Sequence, residues 1–245
     1  MLSYDRRPAG GDDDVAFDLQ ASDALAAVEA LGERMGTALP IGLWAFSQGA
    51  WAATIAVARS DRVTFLILVG ASGISPGAQM RYSAAEALRR AGHPDTDVAR
   101  AIETRIAIEA FLRGTGSHAD AQRHLDAIAG EPWFDLLWLP RTLPSDAIWR
   151  DMDHDPIGYI SAVRCPVLLL YGDDEAVPAD ESARVWSDAL AGSGAPLGVV
   201  RLPDSTHLPT TSGGTDIESV DPAYERAIVA WLDELLDGDP AAPAG

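Results

Sequence analysis

The spacing of apolar positions changes several times along the chain, and each change marks the passage from one kind of element to another. Between Phe17 and Met35, Leu25, Val28, Leu31 and Met35 recur at intervals of three and four, the stripe of a helix packed on a sheet. Gly36 and Pro40 close it. The compact apolar run Ile41–Phe46 leads through Ser47-Gln48-Gly49 into the small-residue stretch Ala50–Val57, which predicts strand, tight turn and helix. Val63–Val69 and Val167–Tyr171 are almost continuously apolar, as parallel strands must be when helices cover both faces. Leu197–Leu202 is a weaker strand, Leu2–Tyr4 resembles the end of one, and Glu181–Leu190 is helical. The last helix has Asp221 as N-cap, Pro222 at its first position and Gly238 as its stop. Strands alternating with helices predict an α/β protein with a mostly parallel sheet.

From Ser72 to Ala162 the rhythm breaks. Val98, Ile102 and Ile106 have helical spacing, and an aromatic run with Trp133, Phe134, Trp138 and Trp149 follows. We read residues 72–162 as a helical insertion, with the core formed by 1–71 and 163–245. A chain of 245 residues suits one such core with an insertion.

Charge narrows the possible partners. All 18 basic residues are arginine against 37 acidic ones, a net charge of -19, and such a field repels phosphate backbones. Nucleic acid is therefore excluded as a partner. The apolar runs have strand length, far short of the ~20 residues of a membrane span, and the first residues lack an apolar signal region. The expectation is a cytoplasmic protein that does not enter membranes; oligomeric state is not legible. The single cysteine, Cys165, rules out an internal disulfide and reads as a structural thiol before Pro166.

The candidate chemistry starts at Ala45-Phe46-Ser47-Gln48-Gly49. A serine hydroxyl is a poor nucleophile until it is exposed to a base, and a strained strand-to-helix turn presents it that way. Only small residues fit two positions to either side, here Ala45 and Gly49. The Gln48 backbone N–H can face a developing oxyanion, helped by the helix N-terminus. A second serine, in Gly73-Ile74-Ser75-Pro76-Gly77, fits the bare G-x-S-x-G pattern better. Pro76 has no N–H to donate, so Ser75 reads as a loop residue. The base is assigned to His207, in the loop after Leu197–Leu202, at the carboxyl end of the last strand, where open α/β sheets place their sites. His93, His118, His124 and His154 all fall in the insertion. His154 sits in an acidic loop read as solvated rather than metal-binding. The acid that orients the imidazole belongs at the end of Val167–Tyr171, where Asp173, Asp174 and Glu175 follow Gly172.

Together, Tyr4-Asp5-Arg6-Arg7, Ile41–Trp51, Val69–Gln79, Arg164–Pro178 and His207 resemble the α/β-hydrolase superfamily. The chain is similar to its bacterial serine aminopeptidase-like and acylaminoacyl-peptidase-like esterases. That resemblance implies hydrolysis of a small ester or amide through an acyl-enzyme, with Ser47, Asp174 and His207 as triad and no metal or organic cofactor. The insertion then becomes a cap whose Trp133 and Trp138 form an acyl pocket, and Glu131 and Asp135 are its candidate acidic anchors for a substrate amine. Counting back from Pro178 selects Asp174 as the acid, and counting forward from Gly172 selects Glu175; aspartate is the commoner in this role. Ala45 and Thr206 stand where the family has glycine. The family places three strands and the main oxyanion loop ahead of Tyr-Asp-Arg-Arg, so the chain is expected to start partway into the fold. A gap in the middle of the sheet is then expected, unless Met1–Arg7 fills the third strand's place and Pro8-Ala9-Gly10-Gly11 serves as the oxyanion loop. The rival reading is a non-catalytic α/β-hydrolase-like binding protein.

Overall fold

The computed structural model describes residues 1–4, 15–36, 39–174, 176–211, 214 and 216–237. In chain order they form α1 (Phe17–Met35), β1 (Gly42–Phe46), α2 (Gly49–Ala58), β2 (Phe65–Val69), α3 (Pro76–Arg90), α4 (Asp95–Leu112), α5 (His118–Ile128), α6 (Ile157–Ile160), β3 (Val167–Asp174), α7 (Ala179–Leu190), β4 (Leu197–Thr206) and α8 (Pro222–Asp237).

The four strands make one all-parallel sheet in the order β1-β2-β3-β4. Side chains alternate between its faces. Leu66 and Leu68 of β2, with Val167, Leu169 and Tyr171 of β3, pack on one side against α2 and α7. Ile67, Val69, Leu168 and Leu170 pack on the other against Ala227, Ile228 and Trp231 of α8. Both faces are thus covered, which is why β2 and β3 read as unbroken apolar runs.

Three local expectations change. Of the expected α1 stripe, Val28 is buried and Leu25 and Leu31 are half-buried against the core, while Met35 is exposed; the most buried positions are Phe17, Ala21, Ala24, Val28 and Gly32. Small residues let α1 lie close against Trp51, Ile55 and Ala56 of α2, and that close approach outweighs the larger side chains of the apparent stripe. The described strands are also contiguous, without a central gap. The open side is the outer edge of β1, whose described pairing is with β2 alone. Finally, Met1–Tyr4 are exposed and are not in a strand. Asp5–Arg7 and the Pro8–Gly11 loop lie outside the described residues, as does Gly238.

Between β2 and β3, α3, α4 and α5 enclose a hydrophobic cluster of their own, with Leu88, Val98, Ile108, Leu125, Trp133 and Phe134 inside it. An ion-pair chain ties this unit to the return segment. Arg81 and Arg113 both bind the buried Glu109 carboxylate, and Arg113 also pairs with Asp153 at 2.6 Å. Among the described residues no helix is long and apolar enough to cross a membrane.

Because Leu169 is fully buried at the centre of β3, Leu169→Ala is expected to lower the unfolding free energy by about 3 kcal/mol. Urea denaturation checks it, and a loss below about 1 kcal/mol would contradict this packing.

Candidate active site

All four strands run the same way, so the chain segments leaving their carboxyl ends emerge along one edge of the sheet. Ser47 leaves β1 there. Its N–H continues the ladder by donating to the Val69 carbonyl at 2.8 Å, while its carbonyl accepts from Ala50 N–H at 2.9 Å and starts α2. One residue therefore closes a strand and opens a helix, and it does so at φ 50°, a conformation costing a non-glycine residue roughly 1–3 kcal/mol. Ala45 and Gly49 face each other across the turn. A Cβ added to Gly49 would lie 3.7 Å from that of Ala45, so alanine at 45 fits without strain. Gln48 sits at the N-cap of α2, where its N–H is among those a helix leaves without an internal acceptor.

His207 follows β4, which continues to Thr206 and so runs past the loop start expected at Pro203. The extension is possible because β4 is an edge strand among the described residues, where Pro203 breaks no ladder bond to β3, and because Gly172 lets β3 come unusually close. A Cβ at Gly172 would fall 2.5 Å from the carbonyl oxygens of both Ser205 and Thr206. The register shifts between Gly172 and Asp174, after which Asp174 pairs with Thr206. The strand bearing the expected acid therefore ends beside the residue that precedes the expected base.

The structure brings Ser47 and His207 together: Nε2 of His207 lies 2.9 Å from Ser47 Oγ. The Phe46 ring packs on the imidazole with centroids 5.0 Å apart. Thr206 braces the loop, its N–H donating to the Thr210 carbonyl at 3.1 Å and its hydroxyl to the Leu208 carbonyl at 2.6 Å. Threonine in place of glycine thus adds a hydrogen bond at the turn.

Of the three acidic candidates, Asp173 is turned toward Arg201, 3.9 Å away. Asp174 closes β3 as just described, and Glu175 lies outside the described residues. Ser75 accepts from Ala78 N–H and caps α3, the role its following proline suits. Burial pushes the Cys165 thiol up to about 11, so it is protonated near neutrality and inert as a nucleophile.

The tryptophans separate. Trp133 is 1% exposed inside the α3–α5 cluster and offers no surface to a substrate, which corrects its expected place in an acyl pocket; its area went to filling the unit's own core. Trp138 is 85% exposed at φ 53°. Glu131 and Asp135 are engaged by Arg100 and Arg141 at 2.7 and 3.0 Å. His118 meets the Leu143 carbonyl at 2.8 Å, and His154 packs between Phe17 and Tyr159. Gly172 and Phe46 are the residues that sequence reading passed over. The signal for Gly172 was present, since an isolated glycine at a strand's end marks a close backbone approach.

No family model matches the chain, and a comparison with curated proteins finds no match. Solved structures do. The crystal structure of VinJ superposes at a TM-score of 0.50 with 16% identity, over 91% of this chain and 73% of that one. The proline iminopeptidase of Mycobacterium smegmatis gives 0.51 with 17% identity, over 92% and 76%. An acylaminoacyl peptidase of Pyrococcus horikoshii gives 0.47 with 15% identity, and this chain spans 29% of it. The fold is that of the α/β-hydrolases, here with a four-stranded parallel sheet and helices on both faces.

Adding a methyl group at Gly172 must displace the backbone just before His207. Gly172→Ala is expected to cost about 1–3 kcal/mol, whereas Gly158→Ala, with nothing within 4 Å, should be neutral or stabilising. Thermal unfolding of the pair checks this, and equal melting temperatures would contradict the tight fit.

Proposed function

We propose that this protein is a serine hydrolase that cleaves an ester or small amide through an acyl-enzyme intermediate. The observation that carries the reading is the 2.9 Å approach of His207 Nε2 to Ser47 Oγ between residues 160 positions apart. It lies at the end of a parallel sheet where active sites of this architecture form.

Ser47 attacks the substrate carbonyl as Nε2 of His207 takes its proton. The imidazolium then returns that proton to the leaving alcohol or amine, and a water molecule repeats the sequence to release the acid. Asp174 orients His207, a role supported by its backbone position opposite Thr206. The Gln48 N–H, aided by the positive end of α2, stabilises the oxyanion. The helical unit between β2 and β3 acts as a cap, with exposed Trp138 available to the acyl portion of a small-molecule substrate. The peptidases among the similar structures favour an amide or peptide-like substrate, and the esterase reading rests on the same triad. The setting is cytoplasmic, and the chemistry draws on neither metal nor organic cofactor.

The second reading, a non-catalytic binding module, draws on the outer edge of β1, where no described residue pairs with the strand next to Ser47. Hydrolysis of a nitrophenyl acyl ester separates the two. Ser47→Ala and His207→Ala are each expected to lower kcat by roughly 10³-fold or more. Equal background rates in wild type and Ser47→Ala would overturn the enzyme reading and favour the binding module.

A further inference from the structure

Among the described strands, Ser47 follows one edge of the sheet and His207 the other. Three strand spacings of ~4.8 Å put β1 and β4 about 14 Å apart, yet the two side chains meet. The chain at His207 therefore has to lean across the ends of β2 and β3 and be held there. Bonds such as Thr206 N–H to the Thr210 carbonyl at 3.1 Å and Thr211 N–H to the Ser219 carbonyl at 2.8 Å shape it and tie its start to the end of β4.

A further tie, from the entry of this segment to α8, runs through one carboxylate. Asp221 is only 7% exposed. One of its oxygens accepts the hydroxyl proton of the fully buried Ser205 at 2.5 Å, and the other accepts the Ala223 N–H at 2.8 Å as the N-cap of α8. Its own N–H donates to the Pro209 carbonyl at 3.0 Å. Ser205 stands two residues before His207, so Asp221 joins the entry of the loop to its exit. The same first turn of α8 reaches the opposite edge of the sheet. Trp44 of β1 donates its indole N–H to the Tyr224 hydroxyl at 2.7 Å, and Trp44 is three residues before Ser47. Hydrogen bonds and short chain segments thus form a closed circuit: Ser47, Trp44, Tyr224, Asp221, Ser205, His207.

We infer that Asp221 is a positioning residue for the Ser47–His207 pair, clamping both ends of the loop that carries His207 and linking it through Tyr224 to the strand that carries Ser47. The inference rests on the hydrolase reading above. The Ser205 hydroxyl, then the Ala223 N–H, hold the Asp221 carboxyl below the usual carboxylate range, so the clamp stays charged through neutral pH. An α8 cap alone would not need Ser205, and this separates positioning from ordinary helix stabilisation.

Asn is as good an N-cap as Asp, so Asp221→Asn keeps the helix start while replacing the charged acceptor of Ser205 by an amide N–H, which can bond that hydroxyl only in the reverse, uncharged and weaker sense. With a nitrophenyl ester, Asp221→Asn is expected to lower kcat roughly 10- to 100-fold, the effect of a displacement near 1 Å. KM should stay within about twofold, and the melting temperature within roughly 2–4 °C of wild type. Ser205→Ala should reproduce the kcat loss with the charge retained, and Tyr224→Phe should lower kcat by a smaller factor. Wild-type kcat in both Asp221→Asn and Ser205→Ala would overturn the inference while leaving the hydrolase reading intact. A wild-type protein no faster than Ser47→Ala would remove both.

Discussion

The hydrogen bond between Ser47 and His207 is the constraint around which the rest of the structure is arranged. It joins the ends of the two outermost strands, so every layer between them has to keep its register for the two atoms to meet. The parallel sheet supplies that register: β2 and β3 are buried on both faces and fix the distance from β1 to β4. The sharp bend at Ser47 is held by a ladder bond on one side and by the first bond of α2 on the other. These two bonds offset the cost of a positive φ at a serine. On the far edge Gly172 brings β3 against Ser205 and Thr206, so the loop departs at a defined height and angle.

Much of this was legible in the residues. Ser47 could be found because strand, small-residue turn and helix coincide there, whereas the better pattern match at Ser75 fails on the chemistry of its proline. His207 could be found because it follows the last strand while the other histidines fall in the insertion. The helix ends at Met35, Leu190 and Pro222 also followed from local signals. What remained hidden depends on contacts between segments distant in sequence. Alanines on α1 pack more closely than its leucines, which periodicity cannot show. β4 reaches Thr206 only because a glycine on another strand makes room. Trp133 looked like a pocket residue because it lies in an aromatic run, but the helical unit needed its volume to fill its own core. The expected gap depended on strand order, and among the described residues the outer side of β1 is an edge, not a hole.

The site joins two kinds of support. Local bonds, such as those of Thr206 with Leu208 and Thr210, shape individual turns, while a few long connections fix the turns relative to one another. The carboxylate of Asp221 belongs to the second kind, and so does the Trp44 indole. The Arg81–Glu109–Arg113–Asp153 chain does the same for the helical unit, fastening α3 and α4 to the segment that returns to the sheet. In each case a charged or hydroxyl group within a hydrogen-bonded set locks elements that apolar packing alone would let slide.

The most direct test of the central claim is covalent. Incubating the protein with diisopropyl fluorophosphate, followed by intact-mass measurement and peptide mapping, should give one adduct per chain on the peptide containing Ser47, and His207→Ala should slow its formation sharply. An unmodified chain, or an adduct on Ser75 or another hydroxyl, would contradict the account.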